Sequence, residues 1–173
     1  MLNTQFIPQI ASADYQVDVC WNMLKSHIEH YEEAYKFEMN PDFQRGHVWT
    51  EEQQIAFVEW ALKGGLNYSG KDIYLNCATF KNWKKKSPMV LVDGLQRMTA
   101  ALKFLDGNLI VFGKYRCEEV GKLDMCTMRF RFHVADIQTR KGVLQWYLDF
   151  NSGGTVHTKD ELNRVLEMMG KEK

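Results

Sequence analysis

A chain of 173 residues, 45% hydrophobic, 13% aromatic and 25% charged, carries enough apolar material for the core of one domain and lies far from disordered compositions. Its 22 basic residues balance 22 acidic ones, so no global field drives it onto nucleic acid or a membrane surface, and contact with DNA is expected to be weak or indirect. The four cysteines, Cys20, Cys77, Cys117 and Cys126, show neither C-x-x-C pairing nor histidines at zinc spacing, which points away from a zinc site or a disulfide scaffold.

In chain order, the first ten residues lack a basic segment followed by an apolar run, and no stretch has the length of a membrane span, so a cytoplasmic location is expected. Ser12 caps a helix predicted from Ala13 to Glu33, with Tyr15, Val19, Met23 and Ile28 as its apolar stripe. Residues 1–34 are thus expected as a helical segment packed on a main domain of residues 35–173. Tyr35, Phe37 and Met39 alternate with Lys36 and Glu38, which predicts a short strand ending at Asn40-Pro41. Thr50 and Gln53 form a capping box for a helix whose apolar face is Ile55, Phe57, Val58, Ala61 and Leu62, closed by Gly64-Gly65.

Strands are predicted over Ile73 to Cys77 and Met89 to Val92, joined by a lysine-rich tip at Lys81 to Lys86. The second runs into Asp93-Gly94, behind which Met98, Ala101, Leu102 and Leu105 repeat at helical spacing as far as Gly107. Leu109 to Phe112 and Met128 to Val134 are further strand candidates. Thr139 opens a helix to about Phe150, and Thr158 with Glu161 caps a last helix to about Met169.

Three clusters carry candidate chemistry. Gln44 and Arg45, in the loop Asn40-Pro41-Asp42-Phe43-Gln44-Arg45 before a capped helix, offer a neutral and a permanently charged donor for phosphate or carboxylate; the competing role for Arg45 is a salt bridge to a neighbouring helix. In Asp93-Gly94-Leu95-Gln96-Arg97-Met98-Thr99, Gly94 allows a positive φ, Gln96 and Arg97 place donors on a first helical turn, and Asp93 can orient an Arg or accept from a ribose hydroxyl. The alternative there is a plain helix cap at Asp93 and an exposed charge at Arg97. In Phe150-Asn151-Ser152-Gly153-Gly154-Thr155, adjacent glycines can turn backbone N–H groups toward an anion, with Asn151 reaching a metal-bound water, or else simply end a helix. His47, His133 and His157 share no spacing and are taken as ordinary histidines.

Together, Pro41-Asp42-Phe43-Gln44-Arg45 before Val48-Trp49, then Val92 to Ala100, then Phe150 to Gly154, resemble in order and spacing the N-terminal domain of GmrSD-type modification-dependent restriction systems over about residues 35–165. That family is related to the ParB/sulfiredoxin fold, so the resemblance implies an α+β domain with a small mixed sheet and peripheral helices. It also implies binding of a nucleoside triphosphate with Mg²⁺, in its strongest form weak NTPase activity, coupled to DNA cleavage by a separate HNH-type nuclease domain. The family's Asp-Gly-Gln-Gln-Arg signature falls on Asp93, Gly94, Leu95, Gln96 and Arg97, with Leu95 in place of a glutamine. Asp93, Gln96 and Arg97 are therefore the catalytic candidates, and Gln44, Arg45, Gly94, Thr99, Asn151, Gly153 and Gly154 join them as nucleotide ligands.

Sulfiredoxins carry a catalytic cysteine where Leu95 stands, which sets a sulfinic-acid reductase aside. ParB proteins hold Mg²⁺ through an asparagine that follows a glutamate; Asn151 fits the former, while Phe150 occupies the acid's place. No nuclease centre is evident in the sequence, so a nuclease or other defence component is the expected protein partner, and a compact copy suits a phage or mobile-element gene. The competing function is a non-catalytic interaction module that regulates or mimics a defence complex through aromatic surface around Trp49, Trp60 and Trp83.

Overall fold

The structure is a computed structural model that describes residues 13, 15–46, 48–81, 87–120, 128–152 and 159–172. Its sheet has four strands, β1 (Tyr15–Cys20), β2 (Asp72–Asn76), β3 (Val90–Asp93) and β4 (Arg129–Ala135), in the order β1-β4-β2-β3. Its longer helices are α1 (Leu24–Tyr35), α2 (Glu51–Leu62), α3 (Leu95–Leu105), α4 (Arg140–Ser152) and α5 (Lys159–Lys171). The sheet is mixed: β4 runs antiparallel to β1 and parallel to β2, and β2 runs antiparallel to β3. This is the α+β class expected, with helices on both sheet faces.

Alternation along the strands builds two cores. Ile73, Leu75, Leu91, Phe130 and Phe132 pack with Leu24 and Ile28 of α1, Val58 of α2, and Met98 and Phe104 of α3. Their neighbours Tyr74, Val90 and Val92 point the other way, into a smaller cluster with Phe43, Val143, Leu144, Trp146 and Tyr147 of α4, and Val165 of α5. Period-two patterning thus sorts the residues of β2 and β3 between the two helical layers. The Thr50 capping box forms as predicted, with Gln53 Oε1 accepting from the Thr50 N–H at 2.9 Å and Thr50 Oγ1 from the Gln53 N–H at 3.4 Å.

Three predicted elements come out differently. The helix expected from Ala13 to Glu33 is instead β1, a single turn at Trp21–Met23 and then α1. Val17 and Val19 alternate with Gln16 and Asp18 as they pair with β4, and this tertiary pairing wins over the four-residue spacing that suggested a helix. Residues 15–20 therefore form an edge of the sheet. The strand expected at Tyr35 to Met39 contracts to one bridge between Glu38 and Val90, because α1 continues to Tyr35 and Lys36 ends it at a φ of 50°. Leu109 to Phe112 alternates in burial but meets no partner strand among the described residues; Val111 bridges Tyr115 around a turn in which Phe112 has a φ of 52°.

Candidate functional site

β3 ends at Asp93, Gly94 turns the chain at a φ of 112°, and α3 starts at Leu95, so Gln96 and Arg97 lie in its first turn as the sequence predicts. A Cβ at residue 94 would stand 2.4 Å from Ile73 Cδ1, so the glycine meets both a conformational and a packing requirement. Among the described residues, no side chain caps α3. The carboxylate of Asp93, which could have done so, accepts from Arg97 Nη2 at 2.6 Å instead. The first-turn N–H groups thus have no side-chain cap among the described residues, and they carry the positive end of the helix dipole.

Arg97 also donates from Nη1 to the Asp72 carbonyl at 2.8 Å, so one guanidinium links β2, the end of β3 and α3. Its side chain is 20% exposed against 38% for Asp93. That disposes of Arg97 as a free surface charge and makes it a structural cation first. Gln96 is likewise committed. Its Oε1 accepts from the N–H groups of Val48 and Trp49 at 2.9 and 3.1 Å, and its Nε2 donates to the Gly46 carbonyl at 2.9 Å.

Gln44 works from the other side of the same loop, donating to the carbonyls of Leu91 and Val92 at 3.1 and 3.0 Å. Residues 44 and 46 are therefore tied to the end of β3 and the start of α3, and Arg45 sits between the two ties. The Arg45 guanidinium lies 3.7 Å from Glu161 of α5, the helix contact foreseen as the alternative role for this residue. Arg164 of α5 donates to the carbonyls of Asp42, Phe43 and Gln44 at 3.3, 3.1 and 2.9 Å. Burial pushes the Tyr147 hydroxyl above its ordinary pKa; Arg45 and Arg164 pull it back while Glu161 and Asp93 add to the rise. Charges from the loop, from β3 and from α5 therefore act on one point of α4.

A second polar group borders this region. Tyr74 lies directly across from Asp93 on β3 and from His133 on β4. Its ring stacks on His133 at 4.6 Å and meets Phe150 at 4.3 Å. His133 Nε2 is 2.7 Å from Asp72 Oδ1. Burial is the main cause raising the Tyr74 hydroxyl, with Asp72 and Asp93 adding to it. Asp72, Tyr74, His133, Glu161 and Arg164 were not singled out for this site; only the alternation of β2 and β4, which turns Tyr74 and His133 to one face, pointed there.

Thr99 lies half-buried in the second turn of α3. The backbone of Asn151 is in the last turn of α4, while Gly153, Gly154 and the caps expected at Thr158 lie outside the described residues. Among the described residues, no group of three or more His, Cys, Asp or Glu side chains is placed to hold a metal ion. Trp49 and Trp60 are half-buried and pack against the larger core, Trp49 lying 5.5 Å from Phe57. Trp83 and most of the lysine tip, residues 82–86, fall outside the described residues. No described helix is long and apolar enough to cross a membrane.

A family model described as the GmrSD restriction endonuclease, N-terminal domain, matches residues 22–167, a span that takes in α1 to α4 and most of α5. No curated protein and no solved structure matches the chain.

Proposed function

This chain belongs to the GmrSD restriction endonuclease N-terminal domain family, and on that premise we propose that it binds the phosphates of a nucleotide at the start of α3 within a restriction system. The reading is supported by the α3 N-terminus, where no side-chain cap hydrogen bond is made among the described residues, and by the ties of Gln44 to β3 and of Gln96 to Gly46, which bring the backbone on either side of Arg45 to the β3–α3 junction. Backbone N–H groups at a helix start and a guanidinium at a fixed position are complementary to a phosphate. Arg97 acts mainly by holding Asp93 and the β2–β3–α3 junction in place, with its remaining N–H groups available to an anion. Gln44 and Gln96 act by positioning the loop, not by touching phosphate.

In this reading the domain is ParB-like, a support for which is the mixed sheet flanked by helices on both faces. Mg²⁺ would be shared between the nucleotide and Asn151, with Gly153 and Gly154 closing the site. Turnover is slow, because Leu95 and Phe150 are apolar where the related families place polar groups. DNA cleavage belongs to a nuclease domain or partner that responds to the nucleotide-bound form. One observation favours the second reading, a non-catalytic interaction module: Gln96 and Arg97 are already spent on internal hydrogen bonds.

Calorimetric titration of the protein with ATP, GTP and CTP, each with and without Mg²⁺, separates the two. Saturable one-to-one binding of at least one nucleotide is the expected outcome. Absence of heat for all three at millimolar concentration would replace the nucleotide reading with the interaction module.

A further inference from the structure

The helix α5 rests on the rest of the domain in an unusual way. Among its described residues only Val165 is fully buried, with Met168 and Met169 packed in part against the smaller core. Its polar attachments among the described residues converge on the loop that carries Arg45. Arg164 donates to three successive carbonyls at residues 42–44, Arg140 of α4 joins Asp42 to Glu172, and Glu161 faces Arg45 at 3.7 Å. The Arg45 and Glu161 side chains are 18% and 25% exposed, so this contact is shielded from bulk solvent but reachable by a ligand.

We propose that Glu161 is an internal competitor for the phosphate-binding cation Arg45, so that a phosphate taken up at α3 displaces Glu161 and loosens the docking of α5. The inference rests on the phosphate-binding reading above and adds its regulation. A carboxylate and a phosphate oxygen seek the same guanidinium N–H groups, and placing both anions against one cation brings like charges together. Coupling of this kind is reciprocal: whatever factor Glu161 subtracts from phosphate affinity, bound phosphate subtracts from the closed position of α5. With few apolar contacts of its own, α5 is the element most readily released. The site's occupancy is thereby transmitted to the end of the matched domain, where a neighbouring domain or partner can sense it.

Inorganic tripolyphosphate is the probe for the test, alongside ATP, with the full chain and its Glu161→Gln and Glu161→Asp variants. Partly exposed ion pairs of this type correspond to roughly a two- to fivefold change in an equilibrium. Glu161→Gln is expected to tighten tripolyphosphate binding by that factor, and Glu161→Asp, which keeps the charge on a shorter arm, to lie between it and the unmodified chain. In hydrogen exchange, tripolyphosphate should speed exchange of the α5 amides in the unmodified chain and have little effect on them in Glu161→Gln. If tripolyphosphate binds but Glu161→Gln leaves affinity unchanged or weakens it, or if α5 becomes more protected, Glu161 positions Arg45 and the competition is overturned. If neither probe binds any of the three proteins, the phosphate reading itself fails, and this inference with it.

Discussion

Arg97 reaches back one helical turn to Asp93 at 2.6 Å and at the same time donates to the Asp72 carbonyl at 2.8 Å, so a residue in the signature of the candidate site is also a fastener of the sheet. Arg97→Ala leaves a carboxylate and a carbonyl without their partner in a half-buried setting. Loss of such charge-assisted bonds costs on the order of 1–3 kcal/mol, at the low end here because Asp93 keeps partial access to water. Chemical denaturation should therefore show a lower midpoint for Arg97→Ala with an unchanged m-value. An unaltered midpoint would return Arg97 to the role of a free ligand.

Gln96→Ala should act on the loop more than on the helix. Its three hydrogen bonds to the backbone at residues 46, 48 and 49 are all made by the side chain, and removal frees the segment between α1 and α2. A cost of about 1–3 kcal/mol is expected, with faster hydrogen exchange at residues 46 and 48–50. Uniform exchange across the whole domain would show that the loop is held by other means.

Gly94→Ala combines two faults that a second substitution separates. The φ of 112° is unfavourable for any residue with a Cβ, and that Cβ would stand 2.4 Å from Ile73 Cδ1. Backbone strain of roughly 1–2 kcal/mol and overpacking of roughly 1–3 kcal/mol should add. Ile73→Val removes the clashing methyl, so the double variant should recover the packing share and keep the backbone share. Simple addition of the two single costs in the double variant would contradict this division.

Much of this arrangement was legible in the sequence because it is local. The Thr50–Gln53 capping box, the run from β3 through Gly94 to α3, and the alternation of Phe130 and Phe132 each depend on residues a few positions apart. β1 was missed because Tyr15, Val19 and Met23 share a four-residue spacing compatible with either periodicity, and only pairing with β4, more than a hundred residues away, decides the matter. The same limit explains the site. Gln44, Arg45, Gln96 and Arg97 were legible as donors of suitable type, but whether they face a ligand or one another depends on contacts such as Gln96 to Gly46 and Arg45 to Glu161. Nothing near Arg164 in sequence marks it as the clamp on residues 42–44.

His27 offers a pH-dependent check on the larger core. Its ring packs edge-on to Tyr31 at 4.6 Å and Phe132 at 5.7 Å, and its Nε2 has no hydrogen-bond partner among the described residues. Burial, with a smaller contribution from His30, lowers its pKa below 6.5. The fold therefore favours the neutral ring: its stabilisation is complete above pH 6.5 and declines as pH falls from there toward the folded-state value. His27→Phe, which keeps the aromatic contacts, should flatten the stability profile just below pH 6.5. A slope identical to that of the unmodified chain would locate the titration elsewhere.

The proposed phosphate binding by this domain requires Arg45 and the start of α3. Thermal melting of the unmodified chain and of Arg45→Gln, with and without saturating nucleotide or tripolyphosphate, tests this most directly, since a ligand of the native state raises the midpoint by mass action. At a hundredfold excess over Kd the stabilisation is about 2.7 kcal/mol, or roughly 5–10 °C for a domain of this size. The predicted result is a shift of that order in the unmodified chain and its loss in Arg45→Gln, whose ligand-free midpoint stays within a few degrees because its ion pair with Glu161 contributes only ~0–1 kcal/mol. A shift of equal size in both proteins, or none in either, would contradict it.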